Sequence, residues 1–171
     1  MANKNLMPLK EWLAEQNIES YSPAEIAELT GIPDITFSLF LMILAMRDAR
    51  VDAMDVLMVT GEQDGFHINQ KINMKDGSWM KLIHYAAING YIEAVKWLLD
   101  NGAEVNDRDS HGSTPMHLAA WTGEVDVMKY LKECGADFYA RNNGGQSPMD
   151  GAVFQEQTES IKCLKLWFEK G

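Results

Sequence analysis

Residues 114–142 read TPMHLAAWTGEVDVMKYLKECGADFYARN, and residues 81–109 read KLIHYAAINGYIEAVKWLLDNGAEVNDRD. Laid over each other without a gap, they pair His84 with His117, Ala86-Ala87 with Ala119-Ala120, Gly90 with Gly123 and Gly102 with Gly135, each at a step of 33 residues. A third copy begins at the same step, where Ser147-Pro148-Met149 repeats Thr114-Pro115-Met116. Repetition at this period belongs to arrays in which each unit buries its apolar face against the next.

The chemistry of one period predicts helix, turn, helix, turn. Ser or Thr before Pro starts a helix, because the hydroxyl satisfies free amides and Pro is tolerated in the first turn. Paired alanines let neighbouring helices approach closely, and Gly90 and Gly123 then end the first helix where a positive φ costs little. The second helix carries an apolar stripe at i, i+3, i+6 and i+7 with a glycine at i+10: Ile92, Val95, Leu98, Leu99, Gly102. Val51, Met54, Leu57, Met58 and Gly61 repeat it, as do Ile161, Leu164, Trp167, Phe168 and Gly171, the one-sided spacing of a helix with a single buried face. In Val125, Met128, Leu131, Gly135, the departure is Lys132, which stands where an apolar residue is expected.

With its 33-residue step and the TPMHLAA segment, the chain resembles the ankyrin-repeat family, whose signature is TPLHxA at that period. The expectation is an all-α ankyrin-repeat solenoid of stacked helix-turn-helix units with short β-turn fingers. Residues 36–171 divide into four units, a degenerate one at about 36–75, then 76–108, 109–141, and a degenerate C-terminal one at 142–171. In the first, Gly61 to Gly102 spans 41, which implies about eight residues inserted around EQDGFHINQKIN. In the last, Trp167-Phe168 falls in register if three residues are added near QEQTE. Residues 1–35 do not fit the period; LKEWLAEQ and SPAEIAELTG read as two short helices, the second capped by Ser22, forming an N-terminal helical cap.

Composition excludes several classes. The chain has 171 residues, 46% of them hydrophobic, enough for a buried core, and no apolar run reaches the roughly 18–20 residues of a membrane span. A cytoplasmic location and no membrane partner are the expectation, and Cys134 and Cys163 are expected as free thiols. The net charge of −10, with 15 basic residues scattered singly, argues against nucleic acid, which demands clustered Lys and Arg. PAEIAELTGIPDIT is partly similar to a helix-turn-helix, but the would-be recognition helix DITFSLFLMIL has no Arg, Lys, Asn or Gln to read bases, so a structural cap is the stronger reading.

No catalytic or cofactor-binding fingerprint occurs, and His67, His84, His111, His117, Cys134 and Cys163 show no paired metal-ligand spacing. No enzyme activity, cofactor or metal is therefore expected. The resemblance implies that His84 and His117 bond backbone groups of adjacent turns, with Asp150 replacing the histidine in the last unit.

The resemblance also implies a concave groove for a protein partner, lined by the two positions after the paired alanines and by the finger turns. Mapped at the 33-residue step, these are Ile88 and Asn89, Trp121 and Thr122, and Phe154 and Gln155, with Arg47 equivalent in the first unit. On the fingers they are Gly77, Ser78 and Met80, then Ser110, His111 and Ser113, then Asn143, Gly144 and Gln146; Trp79 stands where the turn glycine is expected, giving a distorted finger with an exposed indole. Trp121 is read as a contact anchor pointing away from the alanine face, against the alternative that it packs over its own neighbour.

The function expected is a non-enzymatic interaction module for one protein partner, basic in character because the chain is acidic, serving as an inhibitor or immunity-type protein. A host-directed ankyrin effector is the alternative. An enzyme or metal-dependent regulator built on the 61–71 loop, with Glu62, Asp64 and His67, is the weaker one. The sequence leaves the oligomeric state open.

Overall fold

The computed structural model describes residues 8–16, 22, 25, 28, 32, 36–60 and 66–170. Helix α1 (Leu9–Glu15) precedes four helical hairpins: α2 (Phe37–Arg47) with α3 (Val51–Thr60), α4 (Leu82–Ile88) with α5 (Ile92–Asp100), α6 (Pro115–Thr122) with α7 (Val125–Glu133), and α8 (Pro148–Phe154) with α9 (Thr158–Lys170). Between α3 and α4, β1 (Ile72–Asn73) pairs antiparallel with β2 (Trp79–Met80), Ile72 facing Met80.

One turn geometry joins the helices of every hairpin. The amides of Arg50, Tyr91, Glu124 and Gln157 donate to the carbonyls of Ala45, Ala86, Ala119 and Ala152, all at 2.8–3.0 Å. Each turn needs one residue in the left-handed region, and Ala49 (φ 54°), Gly90 (72°), Gly123 (87°) and Glu156 (57°) supply it. A non-glycine residue there costs roughly 1–2 kcal/mol, while glycine costs roughly 0.5–1 kcal/mol of chain entropy on folding. Glu156→Gly is therefore expected to stabilise the protein by about 0.5 kcal/mol, measured as a higher urea midpoint at unchanged slope.

The same turn corrects the reading of the last unit. Its hydrogen bonds place Glu156-Gln157 in register with Gly123-Glu124 at the plain 33-residue step, so no three residues are inserted near QEQTE. The core positions follow that register: Met128 and Leu131 correspond to Ile161 and Leu164. Trp167-Phe168 falls beyond it because α9 runs 13 residues where α7 runs nine. The first finger is corrected too. Its turn glycine is present as Gly77, whose amide donates to Met74 O as that of Gly112 does to Asp109 O. Gly77 lies two residues early for the 33-residue step, and Ser78 through Lys81 make up the difference with the paired strand.

Packing explains the small residues. Ala45, Ala86, Ala87, Ala119, Ala120 and Ala152 are fully buried, so successive first helices meet on an alanine face. Leu98, Leu131 and Leu164, one per 33 residues, are also fully buried and fill the layer under the second helices. Lys132 sets its ammonium against aromatic rings, its Nζ 5.1 Å from the centre of Trp167 and 5.7 Å from that of Phe138. Apolar α2 is mostly buried. At the N-terminal side the buried indole of Trp12 in α1 donates to Asp48 Oδ2 (3.0 Å) and lies under the Arg50 guanidinium, itself paired with Asp52. Ser22 Oγ accepts from the amide of Glu25 at 3.3 Å, and most of the second helix expected over SPAEIAELTG lies outside the described residues.

Candidate interaction cleft

The buried histidines tie each hairpin to the next finger. His84 Nδ1 accepts the amide of Lys81 (3.3 Å), which leaves Nε2 as the donor to Asp107 O (3.1 Å). His117 Nδ1 accepts from the amide (3.2 Å) and hydroxyl (2.9 Å) of Thr114, and Nε2 donates to Gln146 O (3.0 Å). Burial pushes both imidazoles below the usual 6.5, against the opposing charge of Asp109 for His84 and the Gln146 carbonyl for His117. Asp150 does only half of this work: its Oδ2 accepts the amide and hydroxyl of Ser147, both at 2.7 Å, and it has no proton to donate. No further finger follows α9 among the described residues.

The fingers are laced into a ladder. The amide of Ser110 donates to Trp79 O and Ser110 Oγ accepts the amide of Trp79, both at 3.0 Å. One finger on, the amide of Asn143 donates to His111 O (2.9 Å). Arg108 bridges Gly112 O (2.9 Å) and Arg141 O (2.8 Å), tying two fingers together.

Between the fingers and the first helices lies a cleft of about 500 Å³. Met74, Met80, Ile88, Leu118 and Trp121 line it with apolar surface, and Asp76, Ser78, Asp109, His111 and Ser113 with polar groups. Two carboxylates line it and no lysine or arginine does. Hydrogen bonds from Ser78 hold the exposed Asp76 carboxyl below its ordinary range. Trp121, 38% exposed, stacks on Phe154, 71% exposed, with ring centres 5.4 Å apart and planes 25° from parallel.

Of the residues mapped from sequence, the structure brings Met80, Ile88, His111, Ser113 and Trp121 to this cleft, with Ser78 and Gln146. Phe154 does not line it and reaches it only through the stack on Trp121, so Ile88, Trp121 and Phe154 are not an even ladder. Trp79 is half-buried with Lys71 Nζ 3.9 Å above its ring, and Ser110 is bound within the finger ladder. Asn89 and Thr122 bond carbonyls of their own helices, those of Tyr85 and Leu118, and Gln155 is exposed at the end of α8. Arg47 pairs with Asp48 (2.8 Å) and Gln16 (3.1 Å). Among the residues that line the cleft, sequence mapping missed Met74, Asp76, Asp109, Leu118 and Gly151, as well as His117, Asn142 and Ser147 at the base of the fingers and first helices. The signal for Gly151 was available, since it is a glycine inside a helix at the step where Tyr85 and Leu118 stand.

His67 is exposed and its amide donates to Gln70, while Glu62 and Asp64 lie outside the described residues. Among the described residues no three His, Cys, Asp or Glu side chains gather to hold a metal, and no helix is long and apolar enough to cross a membrane. Cys134 and Cys163 are both free thiols.

Stacked hairpins with laced fingers and buried histidine ties define an all-α repeat solenoid. A family model of ankyrin repeats, three copies, matches residues 41–142 and 83–166, and the chain belongs to the ankyrin-repeat family. A search of curated proteins returns no match. Ankyrin repeats are generally protein–protein interaction modules, and the family is typically non-enzymatic.

Proposed function

We propose that the chain is a non-enzymatic module whose cleft seats a segment of one protein partner of basic character, and that this capture holds the partner inactive. The observation carrying the reading is the cleft itself, lined by a half-open tryptophan and by the carboxylates of Asp76 and Asp109. Exposed aromatic side chains fixed on a rigid scaffold bind with little ordering cost and dominate interfaces where they occur. A chain of net charge −10 adds steering of a cationic partner. Captured in this way, a partner loses the use of the surface it inserts, which is the physical basis for an inhibitory role.

Site-specific photocrosslinking in the native host cell tests this. A benzophenone amino acid placed at Met80 or Phe154 is expected to give one dominant adduct, identified by mass spectrometry, that Trp121→Ala abolishes. Adducts formed only from Val59, exposed on α3, with none from the cleft, would rule out the cleft as the docking site.

A further inference from the structure

The inner face of α8 breaks the repeat at one point. Tyr85, Leu118 and Gly151 share one position at the 33-residue step, so the last first-helix carries no side chain where its predecessors carry large ones. Glycine inside a helix weakens it, so chain geometry gives no reason for its use. What occupies the space is the indole of the preceding unit: a β-carbon added at Gly151 would lie 3.5 Å from Trp121 Cε3 and 4.0 Å from Trp121 Cβ. Gly151 and Phe154 are one helical turn apart on α8, and Trp121 rests on both, against the bare backbone of the first and stacked on the ring of the second. The ring is thus held in place and remains 38% exposed beside the cleft.

Resting on the reading of the cleft as a docking site, we propose that Gly151 is a positioning residue that lays the Trp121 indole down as a platform, and that this platform receives a basic side chain, arginine or lysine, of the partner segment. Charge argues for this occupant. The cleft is lined by the exposed carboxylate of Asp76 and the buried one of Asp109, whose Oδ1 accepts the amides of His111 and Ser113, and by no Lys or Arg, while the nearby Arg108 donates to finger carbonyls. The face of an indole attracts a cation, and more strongly when a cleft sheds its water. A planar guanidinium adds stacking to that attraction.

The test selects random twelve-residue peptides displayed on phage against the immobilised full chain, with Gly151→Leu, the side chain carried at Leu118, as the counter-selecting surface. Recovered peptides are expected to share one fixed Arg or Lys. In a synthetic peptide of the dominant sequence, exchanging that residue for citrulline or norleucine is expected to weaken binding at least about tenfold. Trp121→Ala and Gly151→Leu are each expected to weaken it by a similar factor, while Gly151→Ala, whose β-carbon makes only ordinary contact with the indole, retains it. A melting temperature for Gly151→Leu at or above that of the parent shows that the loss comes from the displaced ring and not from unfolding. Peptides without a basic residue, full affinity in Gly151→Leu, or no peptide that distinguishes the parent from the counter-selecting surface would each overturn the inference. A crosslinked partner held in the cleft but indifferent to Gly151→Leu removes this inference and leaves the docking site standing. Crosslinks confined to α3 remove both.

Discussion

His117→Ala is expected to lower the free energy of unfolding by about 3 kcal/mol, one of the larger effects available to a single substitution outside the apolar core. The ring is buried and engages three groups: the amide and hydroxyl of Thr114 and the carbonyl of Gln146. A net hydrogen bond is worth only about 1 kcal/mol, but leaving the buried Thr114 amide and hydroxyl without a partner adds their desolvation cost. The exposed His111, on the finger rim, is the matched control, and its alanine variant is expected to change stability by less than about 0.5 kcal/mol. Urea denaturation at neutral pH measures both, and equal effects would mean that the buried ring carries no tie between hairpin and finger.

The same geometry fixes how stability follows pH. In the folded chain both His84 and His117 keep Nδ1 as acceptor, so a second proton breaks the bond to the N-cap amide of its own helix while burial opposes the charge. Above the ordinary imidazole value of 6.5 the folded and unfolded rings are both neutral and the contribution is complete. As pH falls below that value, the unfolded chain takes up protons that the folded chain resists, so stability is lost as pH drops through the depressed folded value. The urea midpoint is expected to fall between about pH 7 and pH 5, and His84→Ala with His117→Ala to flatten that part of the curve. A slope unchanged by the double substitution would assign the acid sensitivity to other groups.

The repeat was legible because its defining residues are chemically narrow. Alanine pairs, capping hydroxyls before proline and a histidine two residues later leave few alternative readings at a fixed step. The errors came where geometry persisted under a different residue. Glu156 adopts the turn conformation of Gly123, so a missing glycine suggested an insertion that the backbone does not contain. Gly77 makes the finger turn two residues early, so a fixed step pointed to Trp79 instead. The cleft was half legible for a related reason. Large residues such as Trp121 stand out in a sequence, whereas the missing side chain at Gly151 that supports the indole is an absence, visible only against the Tyr85 and Leu118 of the other units.

Leu131→Ala is expected to destabilise the protein by about 2–5 kcal/mol and, unlike the equivalent change at the end of the array, to do so across several hairpins. Leu98, Leu131 and Leu164 are all fully buried, so transfer and cavity terms alone would make their alanine variants alike. Their places in the stack differ. Helix α7, which carries Leu131, packs against α5 on one side and α9 on the other, whereas α9, which carries Leu164, has contacts from α7 and α8 and no following hairpin among the described residues. In an array whose units touch only their neighbours, stability is a sum of unit terms and interface terms. A cavity in an inner unit weakens two interfaces, and a cavity in an end unit weakens one. Leu164→Ala is therefore expected to let α8 and α9 open locally while amides of α4 and α5 keep their slow exchange, and Leu131→Ala to speed exchange from α5 through α9. Hydrogen exchange on the two variants separates the cases. Identical exchange maps for both would mean that the hairpins unfold as one indivisible block, and that the coupling runs along the whole stack with no weaker boundary between neighbours.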